Sequence, residues 1–217
     1  MTVYLGKNPV GVGRIVEKKV AKTKFGATVD TWVGDVDTNG KLNPTTWTGP
    51  LNFAGVKSVG SNSMFYTFYN CVGITSVNFS SLQSVESRGL ISTFFGCKGI
   101  ISVDLSSLQT VGNNGMYNTF CDCTGITSVD FSSLQTVGNN GLISAFYGCK
   151  GITKISFPSL TSITTGSFGT SSGAYIFHNC TNLTEIHFRA DMQATIEAMT
   201  GYSSKWGATN ATIFFDL

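Results

Sequence analysis

The sequence predicts a repeat solenoid, a β-rich right-handed coil with short helical corners that is capped at both ends. Three observations predict it. Phe68, Phe94, Phe120 and Phe146 stand 26 residues apart, and a fifth copy of their frame begins at Phe177. Within each unit the spacing of apolar residues changes from three to two. Asn and Gly then punctuate the end of the unit, at Asn113-Asn114-Gly115 and Asn139-Asn140-Gly141.

Each element of the unit follows from these spacings. Phe68, Cys71 and Ile74 lie three apart, which suits a tight helical corner. Val77 and Phe79 lie two apart, which suits a strand with one buried face, and Leu82 and Val85 carry a bend into a second short strand. The Asn-Asn-Gly turns tolerate positive φ. One unit cannot bury its own apolar face, but units stacked about 4.8 Å apart share a continuous core. The interval from Phe146 to Phe177 is longer than the others and places an extra loop around Gly169 to Gly173.

The five repeats occupy residues 60–189, and the flanks read as an arm and two caps. Residues 1–24 form a basic N-terminal arm in which Arg14, Lys18, Lys19, Lys22 and Lys24 are candidate docking residues; its bland alternative is a solvated tail. Residues 25–59 form an N-terminal cap, where Thr28–Val33 and the chain after Asn39-Gly40 are expected to pair as a hairpin. Residues 190–217 form the other cap. There Asp191 is the expected N-cap of a helix burying Met192, Ile196 and Met199 and closed by Gly201, and Ala211–Phe215 is a terminal strand. Caps are required because an open end coil presents unpaired strand edges.

Composition narrows the function. Only 12% of the 217 residues are charged and the net charge is +2, which does not suggest a nucleic-acid partner. No run approaches the roughly 20 apolar residues of a membrane helix, and Met1 to Leu5 do not open a secretory leader. The two histidines are His178 and His187, so acid–base chemistry has little material, and no GxSxG elbow accompanies the many serines. No catalytic residue and no cofactor is expected. Gly11-Val12-Gly13 lacks the third Gly of a nucleotide fingerprint.

Five of the six cysteines, at 71, 97, 123, 149 and 180, share one repeat position and should form a buried ladder of reduced thiols, because parallel side chains on neighbouring coils do not converge as a disulfide requires. Cys121 departs from the ladder and is the expected accessible thiol. No zinc spacing occurs. Asp35, Asp37, Asn39 and Gly40 copy the start of a calcium loop, but its twelfth position is Thr46, so a hairpin turn explains them and no metal is assigned.

Alternation assigns the outward face of the repeat strands to Ser76 and Asn78, Ser102 and Asp104, Ser128 and Asp130, then Lys154 and Ser156, then Glu185, His187 and Arg189. These are the candidate binding residues. They form a stripe of hydroxyls, amides and charges on a rigid sheet, suited to a glycan or a protein surface, or simply to hydration of the solenoid. His187 is expected to point away from the core with Glu185 and Arg189, and His178 to serve packing or surface.

The unit FxxCxxITSVxFxSLxxV resembles the BspA-type leucine-rich repeats of bacterial surface proteins and of some bacteriophage proteins, over about residues 60 to 189. The resemblance implies a leucine-rich-repeat-like fold used for binding and attachment, with no shared active site. Two features depart from the family: the 26-residue unit is slightly longer than its commoner form, and neither leader nor anchoring segment is visible. YLGKNPVG and FGATVDTWVGDVDTNGKL are similar to stretches of phage-encoded repeat proteins. The resulting expectation is a non-enzymatic structural or attachment protein of a phage virion, found in the host cytoplasm before assembly, with the arm docking on a virion protein and the strand face holding a protein or glycan ligand. A bacterial cell-surface adhesin is the alternative. Arm and solenoid ends both permit a homo-oligomer.

Overall fold

The computed structural model describes residues 48–171 and 173–217, together with the backbone of three short strands before them, β1 (Gly6–Lys7), β2 (Gly13–Ile15) and β3 (Trp32–Val33). These three form an antiparallel sheet in which Arg14 faces both Gly6 and Val33. Strand pairing thus joins part of the basic arm to Trp32–Val33 of the expected cap. Lys18, Lys19, Lys22, Lys24, the partner half of the expected hairpin and the Asp35–Asn39 loop lie outside the described residues.

From Thr48 the chain is a parallel β-solenoid. Each coil has one strand side and one shorter strand side. The first comprises β4 (Thr48–Asn52), β6 (Gly73–Asn78), β8 (Ser102–Asp104) and β10 (Ser128–Val129), all parallel. The second comprises β5 (Ser58–Val59), β7 (Ser84–Val85), β9 (Thr110–Val111), β11 (Thr136–Val137) and β13 (Ser162–Ile163). A further parallel sheet of β12 (Lys154–Phe157), β14 (Glu185–Phe188) and β15 (Thr212–Phe215) completes the long side. Register follows the repeat, with Val77 opposite Val103 and Val103 opposite Val129. The coil structure starts within the segment read as a cap, since Leu51 pairs with Val77 and Val59 with Val85.

The core is built from ladders of identical side chains. Phe68, Phe94, Phe120 and Phe146 stack with ring centroids 5.3, 5.3 and 5.6 Å apart. A second ladder runs through Phe53 and Phe79, is interrupted by Leu105, and resumes at Phe131, Phe157 and Phe188. The two meet edge to face, as between Phe79 and Phe94 (6.2 Å, 72°), which is a favourable arrangement of ring quadrupoles. These contacts cross the core and tie the strand side of each coil to its third side.

That third side is not helical. Three hydrogen-bonded turns follow one another in each of the first four coils, closed in the third coil by Gly115 N–H to Gly112 O, Thr119 N–H to Met116 O and Cys123 N–H to Phe120 O. Their third residues, Asn114, Asn118 and Asp122, have φ of 54°, 53° and 57° while their second residues do not, which is the type II combination. The same triplet recurs at Arg88, Ser92 and Gly96 and at Asn140, Ser144 and Gly148. The expected helical corner fails for a physical reason: the first and fourth residues of the second and third turns face inward, as Met116, Thr119, Phe120 and Cys123 do, so a train of turns shows the same spacing of three. Alternate N–H groups then reach the next coil, for example Met116 N–H to Gly141 O at 2.9 Å.

All six cysteines are buried thiols outside any disulfide. Four of the ladder thiols donate to the carbonyl of the phenylalanine one coil back, Cys97 to Phe68, Cys123 to Phe94, Cys149 to Phe120 and Cys180 to Phe146, at 2.9–3.1 Å. Cys121 was expected to be accessible, but it is only 6% exposed, and burial pushes its thiol up to about 12. It follows Phe120 on a turn whose neighbours close over it.

The extra loop falls where the long interval placed it. Leu142 N–H bonds Ser167 O, but Phe146 N–H bonds Ile176 O, so the inserted residues leave the ladder between those acceptors. At the C-terminal end a 3-10 turn, Ala190–Met192, leads into α1 (Gln193–Glu197), and Met192, Ile196 and Met199 are buried. Asp191 is not the N-cap. Arg189 and Met192 hold the two N-cap positions without a side-chain capping hydrogen bond, and the Asp191 carboxylate is taken by the Arg189 guanidinium (Nε to Oδ1, 2.9 Å). Gly201, at φ 86°, turns the chain toward fully buried Trp206, whose Nε1 donates to Thr200 O at 2.8 Å. β15 then pairs in parallel with β14.

Candidate binding face

The outward residues of the long strand side line one shallow groove of about 590 Å³ that crosses four coils. Eight candidate residues contribute to it: Ser76 and Asn78, Ser102 and Asp104, Ser128 and Asp130, Lys154 and Ser156. Parallel pairing in exact register of the repeat is what aligns them, since Ser76, Ser102 and Ser128 are direct neighbours across the sheet.

Part of this stripe also ends the strands. Asn78 Oδ1 accepts the N–H of Ser80, Asp104 Oδ1 that of Ser106, and Asp130 Oδ1 that of Ser132, at 2.8–3.1 Å. Such Asx turns break the extended chain and start the bend. One oxygen of each carboxylate is used this way, and among the described residues neither Asp104 nor Asp130 forms an ion pair. The centre of the groove therefore carries two uncompensated carboxylates among hydroxyls.

The C-terminal end is different. Glu185, His187 and Arg189 do not line the groove. Lys154 Nζ lies 3.1 Å from Glu185 Oε2, and Glu185 is also 3.1 Å from His187 Nε2; hydrogen bonds from His187 and then Lys154 hold its carboxyl below the usual range. Arg189 is paired with Asp191, which raises the guanidinium and lowers the carboxyl. His187 was expected on an exposed row but is 6% exposed. Phe214 of β15 stacks on its ring at 4.6 Å and 14°, and Asp216 Oδ1 sits 2.8 Å from Nδ1. The terminal strand was foreseen; that it would lie beside β14 and cover His187 was not, because pairing between strands 27 residues apart has no local signal. His178 is half-buried and stacks on Tyr147 at 5.0 Å.

No three His, Cys, Asp or Glu side chains gather as a metal site among the described residues, and no helix there is long and apolar enough to cross a membrane. Rigid strands presenting hydroxyls, amides and two carboxylates on an open surface offer recognition chemistry.

Such a face on a parallel solenoid with about six turns and little helix defines a leucine-rich-repeat binding module. The chain belongs to the BspA type leucine-rich repeat family, whose repeat pattern matches in six copies over residues 55–174 and 117–203. The fold is similar to the crystal structure of the T. pallidum leucine-rich repeat protein, with a TM-score of 0.51 and 18% identity over 77% of this chain and 69% of that one. No curated protein matches the sequence significantly.

Proposed function

We propose that the protein is a non-enzymatic attachment module whose strand-face groove takes a basic patch on a partner protein. The observation that carries this reading is the pair Asp104 and Asp130, central in a groove of about 590 Å³ and without a cation among the described residues. Lys154, the cation of the groove, is engaged by Glu185 and does not neutralise them. A Lys or Arg from a partner would be met by carboxylate oxygens, with Ser76, Ser102 and Ser128 bonding the surrounding backbone or side chains. Presentation on a sheet whose strands are paired in register with their neighbours keeps these groups in place before binding, which lowers the ordering cost.

The test is selection of a displayed peptide library on the full chain. Enriched peptides should carry Lys or Arg, and the double variant Asp104→Asn/Asp130→Asn should lose about ten-fold or more in affinity, equivalent to about 1.4 kcal/mol, at an unchanged melting temperature. Peptides that bind the double variant as well as the parent chain would overturn the reading.

A further inference from the structure

We propose that the turn side of the solenoid holds a second binding site, for an oligosaccharide bearing a carboxylate. Two large exposed apolar residues of the repeats, Phe65 and Tyr66, lie together there, whereas none lines the strand-face groove. The second residue of the middle turn is Phe65, Ile91 and Tyr117 in three successive coils, and the third residue of the preceding turn is Asn62, Arg88 and Asn114. These two rows border a groove of about 680 Å³.

Tyr66, also on this groove, singles it out. Its φ is 53°, a left-handed conformation that a bulky side chain adopts at a cost, and the same turn position holds Ser92, Asn118 and Ser144 in the following coils. Burial does not offset that cost, since Tyr66 is 47% exposed and Phe65 51% exposed. The two rings meet edge to face at 4.5 Å, and Tyr66 leans on Tyr69 at 5.4 Å, so the aromatic surface is held in place. A ring kept against backbone preference and left facing solvent has its contacts elsewhere.

The polar groups decide the ligand. Among the described residues, Arg88 has no carboxylate partner, and the side-chain amides of Asn62 and Asn114 make no hydrogen bond. Glu86, two residues away, is turned to Ser61, whose N–H it accepts at 3.0 Å. An aromatic surface covers the C–H face of a sugar ring, amides match ring hydroxyls as both donors and acceptors, and a planar guanidinium fork takes one carboxylate. An acidic protein surface or a nucleic-acid strand would call for a run of cations, whereas this groove offers one, set between two amides.

The full chain would be applied to an array printed with uronate- and sialate-terminated oligosaccharides beside their neutral counterparts. Binding to the carboxylate-bearing set is expected. Tyr66→Asn removes the ring while keeping a residue suited to the left-handed turn, and should weaken binding about ten-fold or more. Arg88→Gln should reduce the preference for acidic over neutral glycans to within about two-fold, while Asp104→Asn/Asp130→Asn should bind like the parent chain. Thermal melts establish that each variant is folded. Absence of binding to the acidic set, equal binding of the neutral set, or parental binding by Tyr66→Asn and Arg88→Gln would overturn the proposal. Loss in the strand-face variant would overturn it too, by moving the glycan to the other groove, whereas failure of the peptide selection alone leaves this site standing.

Discussion

From the second coil to the fifth, a thiol aims at the carbonyl of the phenylalanine one coil before it, and that carbonyl already accepts a turn hydrogen bond, as Phe94 O does from Cys97 N–H. Cysteine suits the place because it is small, apolar and carries a weak donor. The repeat position made the ladder legible in the sequence; the direction of the S–H bond and the burial of Cys121 depend on how coils close over one another. Burial raises the Cys121 and Cys180 thiols from an ordinary 9.0 to about 12. The folded chain thus favours their neutral form. That stabilisation is whole below 9.0 and is lost as pH rises through the raised values, at about 1.4 kcal/mol per pH unit for each thiol. From neutral pH upward, denaturant midpoints should therefore be flat to 9.0 and fall above it, and Ellman's reagent should label no thiol in the native protein at neutral pH but all six after unfolding. Rapid labelling of Cys121 in the native state would contradict the burial.

Between the turn train and the next strand, the backbones of adjacent coils approach closely, and glycine marks the place. A Cβ on Gly151 would lie 2.4 Å from the carbonyl oxygen of Ile126, and one on Gly99 2.2 Å from that of Val72. The obstacle is backbone, which cannot swing aside as a side chain would. Gly151→Ala should cost about 1–3 kcal/mol in chemical denaturation, in line with overpacking elsewhere. Gly173, in the inserted loop, has nothing within 4 Å of its would-be Cβ, so Gly173→Ala should leave stability within about 0.5 kcal/mol. Equal effects would show that close approach is not what the repeat glycine provides. The strands of the unit were legible because their inward residues alternate, and so was one turn of three, flagged by Asn-Asn-Gly. The middle turn was hidden, because Tyr66, Ser92 and Ser144 stand at positive φ without a turn signature, and the third, with Asn70, Gly96, Asp122 and Gly148 at positive φ, was obscured by a spacing of three that also suits a helical corner.

Across the molecule, the strand-face groove was legible as a stripe: a strict repeat puts the same outward positions side by side, and eight of the candidate residues do line it. Its C-terminal limit was not, because it depends on the chain returning after α1 to lay β15 against β14. That return also sets how stability is distributed. In a solenoid each coil contacts its neighbours alone, so stability adds coil by coil and a defect spreads a short distance. β15 supplies the last coil with Thr212 N–H to Thr184 O at 2.7 Å, the Phe214 ring over His187 and the Phe215 ring over Phe188. Deleting residues 212–217 removes all three and leaves β14 as an edge. Hydrogen exchange read by mass spectrometry should then show Glu185–Phe188 losing most of its protection, β12 losing part, and the amides that join the second to the fourth coils, such as those of Leu90 and Met116, keeping theirs. Loss of protection to an equal extent in every coil would mean that the solenoid unfolds as one unit, and that the terminal strand secures the whole stack.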